Sequence, residues 1–379
     1  MRSKHTNLKF SERALNSENI ITKSKIKKLL KSDCRIVKKM ELKNTSDPVF
    51  SIIILIFNGN IEFIKESFYS AKKQTYANTE IIIIDHASSG EVKSFIEKEC
   101  ISDLQITLIR FDTNYYDERK NPIASIVMLW DAGLFTAKGK YISILSYDDK
   151  ISNNYVELMI ELFKNNPECV SASPRVVSIN EYSNLNEDVT ESLDRKNRRG
   201  KYTSGIELIN DIMNKGVLMN APGELLAQHA DTIISSGGFD PSNDMSQIFR
   251  FGYKGEIGYD PNATLYWRHH SNQSSKQIQK QGWISYKLYL EPINKYNIYD
   301  EYYIFIGSKF AERYKKFILE YAKDQSFELL RIAFVYSYKS GFKALLNIYR
   351  QCPINILLQA INISFLIIIK KFTKNLLRI

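Results

Sequence analysis

Four short apolar runs, each separated from the next by a stretch of helical spacing, constrain this chain more than any other feature. They are Phe50–Phe57 (FSIIILIF), Glu80–Asp85 (EIIIID), Ile106–Phe111 (ITLIRF) and Tyr141–Leu145 (YISIL). A run with no polar face cannot lie half in water, so each reads as a strand buried on both faces of a parallel sheet. Between them Ile61, Ile64, Phe68 and Ala71 recur at helical spacing, and Glu91–Cys100 and Ser125–Ala137 continue the alternation. Strand and helix alternate from residue 50 to 166, which predicts a doubly wound α/β sheet.

The flanks read differently. Residues 1–48 are Lys-rich, with weak helical periodicity around Ile26, Leu29 and Leu30, and Pro48 marks a boundary. Ser178–Lys201 is polar and charged and reads as an exposed, mobile loop. Residues 202–270 hold short elements joined by glycines, and from Gly282 the chain reads as helical and tyrosine-rich, its aromatic side chains serving core packing. Ile354–Ile369 places Asn355, Gln359 and Asn362 at i, i+4 and i+7, with Lys370, Lys371, Lys374 and Arg378 behind them. That is an amphipathic basic tail, too short and too polar to be a membrane span.

The net charge of +10 is unevenly placed: residues 1–48 hold 13 Lys/Arg against 5 Asp/Glu, residues 287–379 hold 15 against 7, and the body between is net acidic. An acidic body argues against a nucleic-acid groove, whereas basic ends suit an anionic membrane surface. Cys34, Cys100, Cys169 and Cys352 show no CxxC spacing and read as reduced thiols of a cytoplasmic protein. Met1–Phe10 is polar and basic, so no signal peptide is expected.

In an open α/β sheet, ligands bind beyond the carboxyl ends of the strands. Those ends are Phe57-Asn58-Gly59, Asp85-His86 and Tyr147-Asp148-Asp149. Two aspartates leaving a buried strand are costly unless positive charge sits between them. Mg²⁺ or Mn²⁺ shared with a diphosphate meets that need. No GxGxxG follows the first run and no GxxxxGK[ST] occurs, which disfavours dinucleotide and P-loop sites.

The order SIIILIFNGN (51–60), TEIIIIDHASS (79–89) and AKGKYISILSYDD (137–149) resembles the family 2 glycosyltransferases. NAPGE (220–224), GGFD (237–240) and Asn243-Asp244 extend the resemblance, which covers about residues 49–275. It implies a GT-A fold: a doubly wound, mostly parallel, Rossmann-like sheet, here with a helical C-terminal extension. The division is then 1–48, a basic N-terminal extension; 49–275, the transferase domain (49–150 the nucleotide-binding half, 151–275 the acceptor half); and 276–379, the helical region with its basic tail. Phe57 takes the place of the tyrosine that stacks on the donor's base. Asp85 belongs to the pair that reads base and ribose, and His86 replaces the second aspartate of that pair. Arg119 or Lys120 would meet the nucleotide, and Asp148 would approach the ribose or the sugar. Asp149 would ligate the metal together with His270, beside which His269 is an equal chemical candidate. Asp244 would be the general base, with Asp240 and Glu224 as competitors, and Glu224 is otherwise placed at the acceptor. Leu55 and Ser146 depart from the family pattern, which has a proline or threonine and an acid there.

The implied activity is metal-dependent, inverting transfer of a hexosyl or N-acetylhexosaminyl group in polysaccharide biosynthesis. The donor would be a nucleotide-sugar, a UDP-sugar; the acceptor a hydroxyl of a surface glycan or a lipid-linked precursor; the cofactor Mn²⁺ or Mg²⁺. One carboxylate opposite the leaving group takes the acceptor's proton and inverts the anomeric centre, as in inverting glycosidases. The basic tail would hold the enzyme peripherally on the cytoplasmic face of the cell membrane, each charge gaining ~1 kcal/mol near anionic lipid. The rival reading, prompted by Leu55, His86 and Ser146, is a non-catalytic relative that binds glycans or partners.

Overall fold

The structure, a computed structural model, describes residues 10–40, 47–103, 105–116, 122–196, 200–208, 226–239, 252, 254–271 and 273. All of them lie in one compact unit, Met1–Ile212 with Gly216–Tyr289. The other unit, Met213–Lys215 with Leu290–Ile379, lies outside the described residues, and the basic tail and Cys352 with it.

In chain order the elements are α1 (Glu12–Leu15), α2 (Ile20–Leu30), β1 (Arg35–Lys38), β2 (Phe50–Ile56), α3 (Ile61–Lys72), β3 (Thr79–His86), α4 (Gly90–Ser102), β4 (Ile106–Phe111) and α5 (Pro122–Thr136). There follow β5 (Tyr141–Ser146), β6 (Lys150–Ile151), α6 (Tyr155–Asn165), β7 (Cys169–Asn180), α7 (Glu187–Lys196), β8 (Tyr202–Ser204), β9 (Ala227–His229), α8 (Ala230–Ser235) and β10 (Glu256–His269). The sheet runs β1-β4-β3-β2-β5-β9-β7-β10-β6, with β8 paired to β10. β4, β3, β2 and β5 are parallel neighbours. β9 is antiparallel to both β5 and β7, and β10 is parallel to β7, so the carboxyl ends of all six long strands lie on one edge.

This is the doubly wound, mostly parallel sheet expected, and its strands are apolar throughout because both faces are covered. Ile52, Ile54, Ile56, Ile81 and Ile83 enter one core with Ile64 and Phe68 of α3, Ile96 of α4 and Met159 of α6. Ile53, Ile82, Ile84 and Ile109 enter the other with Leu129, Trp130 and Phe135 of α5. At about 1.5–3 kcal/mol per fully buried side chain, these two layers carry the fold.

Two expectations are corrected. Residues 10–40 are no mere extension: Phe10, Ala14, Ile26, Leu29 and Cys34 are buried in the α5 core, and β1 adds an antiparallel edge to β4. The periodicity is weak because Ile20 and Leu30 stay exposed while buried Thr22 bonds to backbone across the interface. Of Ser178–Lys201, expected as a mobile loop, Ser178–Asn180 complete β7 and Glu187–Lys196 form α7. Val189 and Leu193 pack on the core one turn apart, and Thr190 Oγ1 accepts the Ser178 N–H at 3.0 Å. Two apolar anchors at i, i+4 bury one face of the helix, while Glu187, Asp188 and Glu191 face water and Asp194 pairs with Arg175 at 2.6 Å.

Cys34, Cys100 and Cys169 are unbridged and buried; burial pushes the Cys100 thiol up to about 12 and the Cys169 thiol to about 11. They are inert at neutral pH. Among the described residues no helix is long and apolar enough to cross a membrane.

Candidate active site

Because β3, β2 and β5 are adjacent and parallel, the three strand ends singled out in the sequence meet at one place. β2 leaves the sheet through Phe57 and Asn58. Asn58 Oδ1 accepts the Ser89 N–H at 2.8 Å, at the start of α4, and so ties the tip of β2 to the neighbouring helix. Gly59 passes against the Tyr147 ring, where a Cβ would fall 2.4 Å from Cε2. Glycine is what lets these two strand ends close on each other. Burial, with Asp148 adding to it, pushes the Tyr147 phenol up to about 12.

Asp85 is fully buried: Oδ1 accepts the Ser88 N–H at 3.0 Å and Oδ2 accepts from Arg110 Nε at 2.6 Å. Arg110 reaches on to Glu97 at 2.8 Å. A cation and an amide thus replace the water that this carboxylate gives up. His86 is 2% exposed, so it is not a solvent-facing turn residue. Its Nε2 accepts the Tyr115 N–H at 2.7 Å, which places the proton of a neutral ring on Nδ1. Burial lowers its pKa, against the opposing pull of Asp85 and Asp33. The ring lies parallel to Tyr115 and 5.6 Å from Phe57, whose own ring stays 36% exposed and open to stacking.

A second cluster forms where β5 ends. The chain turns through Tyr147, Asp148 and Asp149 and re-enters as β6, which pairs Lys150 with Tyr266 and Ile151 with Leu265 of β10. That register sets the aspartates beside Arg268 and His270. The Arg268 N–H donates to Asp149 Oδ1 at 2.8 Å, and its Nε donates to the Asp148 carbonyl at 2.7 Å. Nη1 donates to Ser183 Oγ at 2.9 Å, Nη2 to Glu66 Oε2 at 2.7 Å, and the guanidinium sits 4.5 Å over the Phe63 ring. Arg268 is wholly buried. Positive charge beside the two aspartates is therefore supplied in part by the chain itself. Burial works to raise the Glu66 pKa, but hydrogen bonds from Ser183, Lys150 and Arg268 bring it down to about 2.

His270 Nε2 lies 3.0 Å from Asp148 Oδ2, and its ring packs 5.3 Å from Phe63. His269 instead packs on Trp267 at 4.2 Å, so His270 is the histidine that meets the acidic turn. The structure thus gathers Asp148, Asp149 and His270 in one cluster and Phe57, Asp85 and His86 in another. Arg119, Lys120, Glu224, Asp240 and Asp244 lie outside the described residues. Sequence reasoning missed Arg268, Glu66 and Arg110. The available signal was an arginine inside an apolar strand, in ITLIRF and again in TLYWRHH, because such a charge must find a partner.

Residues 51–213 match the model of the family described as glycosyl transferase family 2. Phe57, Asp85, His86, Arg119, Asp148 and Asp149 fall inside the matched stretch, and Glu224, Asp244 and His270 fall beyond it. An uncharacterised glycosyltransferase of Rickettsia prowazekii is 32% identical over 120 residues, 32% of this chain and 33% of that one. One from Haemophilus influenzae is 29% identical over 119 residues, 31% of this chain and 44% of the relative. The chain thus spans well under two-thirds of either relative's length. Among solved structures, S. aureus TarS 1-349 in complex with UDP-GlcNAc aligns with a TM-score of 0.45 and 14% identity, over 81% of this chain and 82% of that one.

Proposed function

We propose that the chain is an inverting glycosyltransferase that moves a hexosyl or N-acetylhexosaminyl group from a UDP-sugar to a hydroxyl of a surface glycan or a lipid-linked precursor. The observation that carries this is the Asp148–Asp149 turn, fixed by buried Arg268 at the carboxyl edge of the sheet with His270 at 3.0 Å from Asp148. The match of residues 51–213 to the family described as glycosyl transferase family 2 supports it.

Among the described residues no three His, Cys, Asp or Glu side chains are grouped so as to hold a metal ion by themselves, so the fit to a divalent cation rests on donor type and on ligands shared with the substrate. Carboxylate oxygens of Asp148 and Asp149 and the imidazole of His270 are hard and borderline donors, and Mg²⁺ is ordinarily held by one or two carboxylates plus substrate phosphates. Asp149 and His270 would hold Mn²⁺ or Mg²⁺, which when bound offsets charge on the leaving diphosphate. Phe57 offers a ring face to the base. Arg119 meets the nucleotide, and Asp244 accepts the acceptor's proton, giving inversion. Glu224 binds the acceptor. The basic tail holds the enzyme at the cytoplasmic face of the cell membrane.

The test is melting temperature with UDP, GDP, CMP and dTDP, each with and without Mn²⁺. Binding to the folded state alone raises it, by ~2.7 kcal/mol of stability at a hundredfold excess over Kd. A shift with UDP that needs Mn²⁺ and is lost in Asp149→Asn supports the proposal; this variant keeps an oxygen for the Arg268 N–H. No shift with any nucleotide favours the non-catalytic reading, for which the one observation is that both Asp85 oxygens already serve Ser88 and Arg110.

A further inference from the structure

The turn between β7 and α7 takes no part in the donor chemistry, yet it hangs from the same buried arginine as the acidic turn. We propose that Tyr182 in this turn is a platform on which a pyranose ring of the glycan partner stacks, with Glu181 and Asn184 serving its hydroxyls. Calling that sugar the acceptor rests on the transferase reading.

Along the carboxyl edge the strands run β3, β2, β5 and then, past the short β9, β7. Phe57, Asp85 and His86 stand at the ends of β2 and β3, the acidic turn leaves β5, and the Tyr182 turn leaves β7. The acidic turn therefore lies between the nucleotide cluster and Tyr182, and the β7 end is the side left for an acceptor. Register pairs Asn180 with His269, next to His270. Arg268 joins the two turns directly. Its Nε donates to the Asp148 carbonyl at 2.7 Å, and its Nη1 donates to Ser183 Oγ at 2.9 Å and to the Asn180 and Glu181 carbonyls at 3.3 and 3.4 Å.

The turn is also bonded within itself. Asn180 Oδ1 accepts the Tyr182 and Asn184 N–H groups at 2.9 and 3.0 Å, and the Asn180 N–H donates to the Asn184 carbonyl at 2.9 Å. The Ser183 N–H donates to the Asn180 carbonyl at 3.0 Å, and Ser183 Oγ donates to Glu66 Oε2 at 2.7 Å. Ser183 holds φ 64°, a left-handed conformation that a residue with a Cβ seldom adopts, and these bonds keep it there. Tyr182 is left 76% exposed, more than any other large apolar side chain among the described residues. Single exposed apolar side chains are ordinary on a protein surface. A ring carried on a backbone locked from beneath is different, because much of the ordering that binding requires is already in place. A pyranose presents apolar C–H groups on its face and hydroxyls around its rim. An aromatic face meets the first, and the exposed carboxylate of Glu181 and amide of Asn184 meet the second.

The test uses the full chain labelled with 3-fluorotyrosine, in which the Tyr182 resonance is the one lost in Tyr182→Phe. Maltose, cellobiose, lactose and chitobiose are titrated in turn to tens of millimolar, and affinity is read from saturation transfer to the sugar. The proposal expects at least one of them to shift the Tyr182 resonance saturably. That sugar should bind about tenfold more weakly to Tyr182→Ala, the scale of one aromatic anchor. Tyr182→Phe keeps the ring face and should bind within about twofold of the wild type. Both variants should melt as the wild type does and keep the Mn²⁺–UDP shift. Absence of a saturable shift with all of these sugars, or undiminished binding in Tyr182→Ala, overturns the proposal. The two readings fail separately. If a sugar binds at Tyr182 while no nucleotide shifts the melting temperature, the transferase reading fails and the platform stands. If UDP binds and no sugar reaches Tyr182, the platform alone fails.

Discussion

Glu66 carries the most testable electrostatics in the molecule. Lys150, Ser183 and Arg268 all donate to its Oε2, and its carboxyl is held at about 2 where 4.5 is ordinary. A carboxyl whose folded pKa is depressed stabilises the fold at every pH above its unfolded value, and that contribution disappears as pH falls from about 4.5 through about 2. The side chain is 38% exposed, so solvent screening trims the effect to ~1 kcal/mol. In urea unfolding between about pH 5 and about pH 2, the wild type should lose ~1 kcal/mol more than Glu66→Gln. Parallel declines would show that Glu66 is not held by Arg268 and Lys150 in solution. The same residue explains why the acidic turn is only partly legible in sequence. Asp148 and Asp149 announce themselves by following an apolar strand, but Glu66 lies mid-helix among ordinary surface residues. Nothing local says that a buried arginine 202 positions away points at it.

At the scale of elements, what could be read in advance was what burial on two faces makes obvious. Phe50–Ile56, Thr79–His86, Ile106–Phe111 and Tyr141–Ser146 form within a residue or two of their apolar runs, since no other structure satisfies such runs in a soluble layer. Elements with one thin apolar seam were not legible. α7 reads as EDVTESLDRK, and only Val189 and Leu193 disclose a buried side. α2 is held by Asn19, Thr22 and Lys25, polar residues that each donate to a backbone carbonyl more than two hundred positions away. α7 offers a direct check. Leu193 is 8% exposed and should cost ~2 kcal/mol when cut to alanine, whereas Glu191→Ala, on the exposed side, should stay within ~0.5 kcal/mol. Denaturant midpoints would measure both. A silent Leu193→Ala would return this stretch to the mobile loop its charge suggests.

For the whole molecule, the stretch that matches the family and the body that folds are different in extent. The match begins at Ser51, yet the layer over α5 is completed by Phe10, Ala14, Ile26, Leu29 and Cys34, and the sheet edge at β4 by β1. At about 1.5–3 kcal/mol for each large apolar side chain, Phe10, Ile26 and Leu29 together approach the whole net stability of a typical domain, about 5–15 kcal/mol. Removing them also uncovers their partners on α5 and frees the edge of β4, a template for association. A chain that begins at residue 47 keeps the entire family-matched stretch and Asp85, Asp148, Asp149 and His270. It is nevertheless expected to aggregate or to melt without a cooperative transition, and to show no Mn²⁺–UDP shift. Circular dichroism melting and sedimentation would decide it. If the shortened chain instead melted cooperatively within ~5 °C of the full one, residues 10–40 would be dispensable for folding. The contacts of α2 with α5 and with the end of α8 would then have to be justified by what they orient and not by what they stabilise.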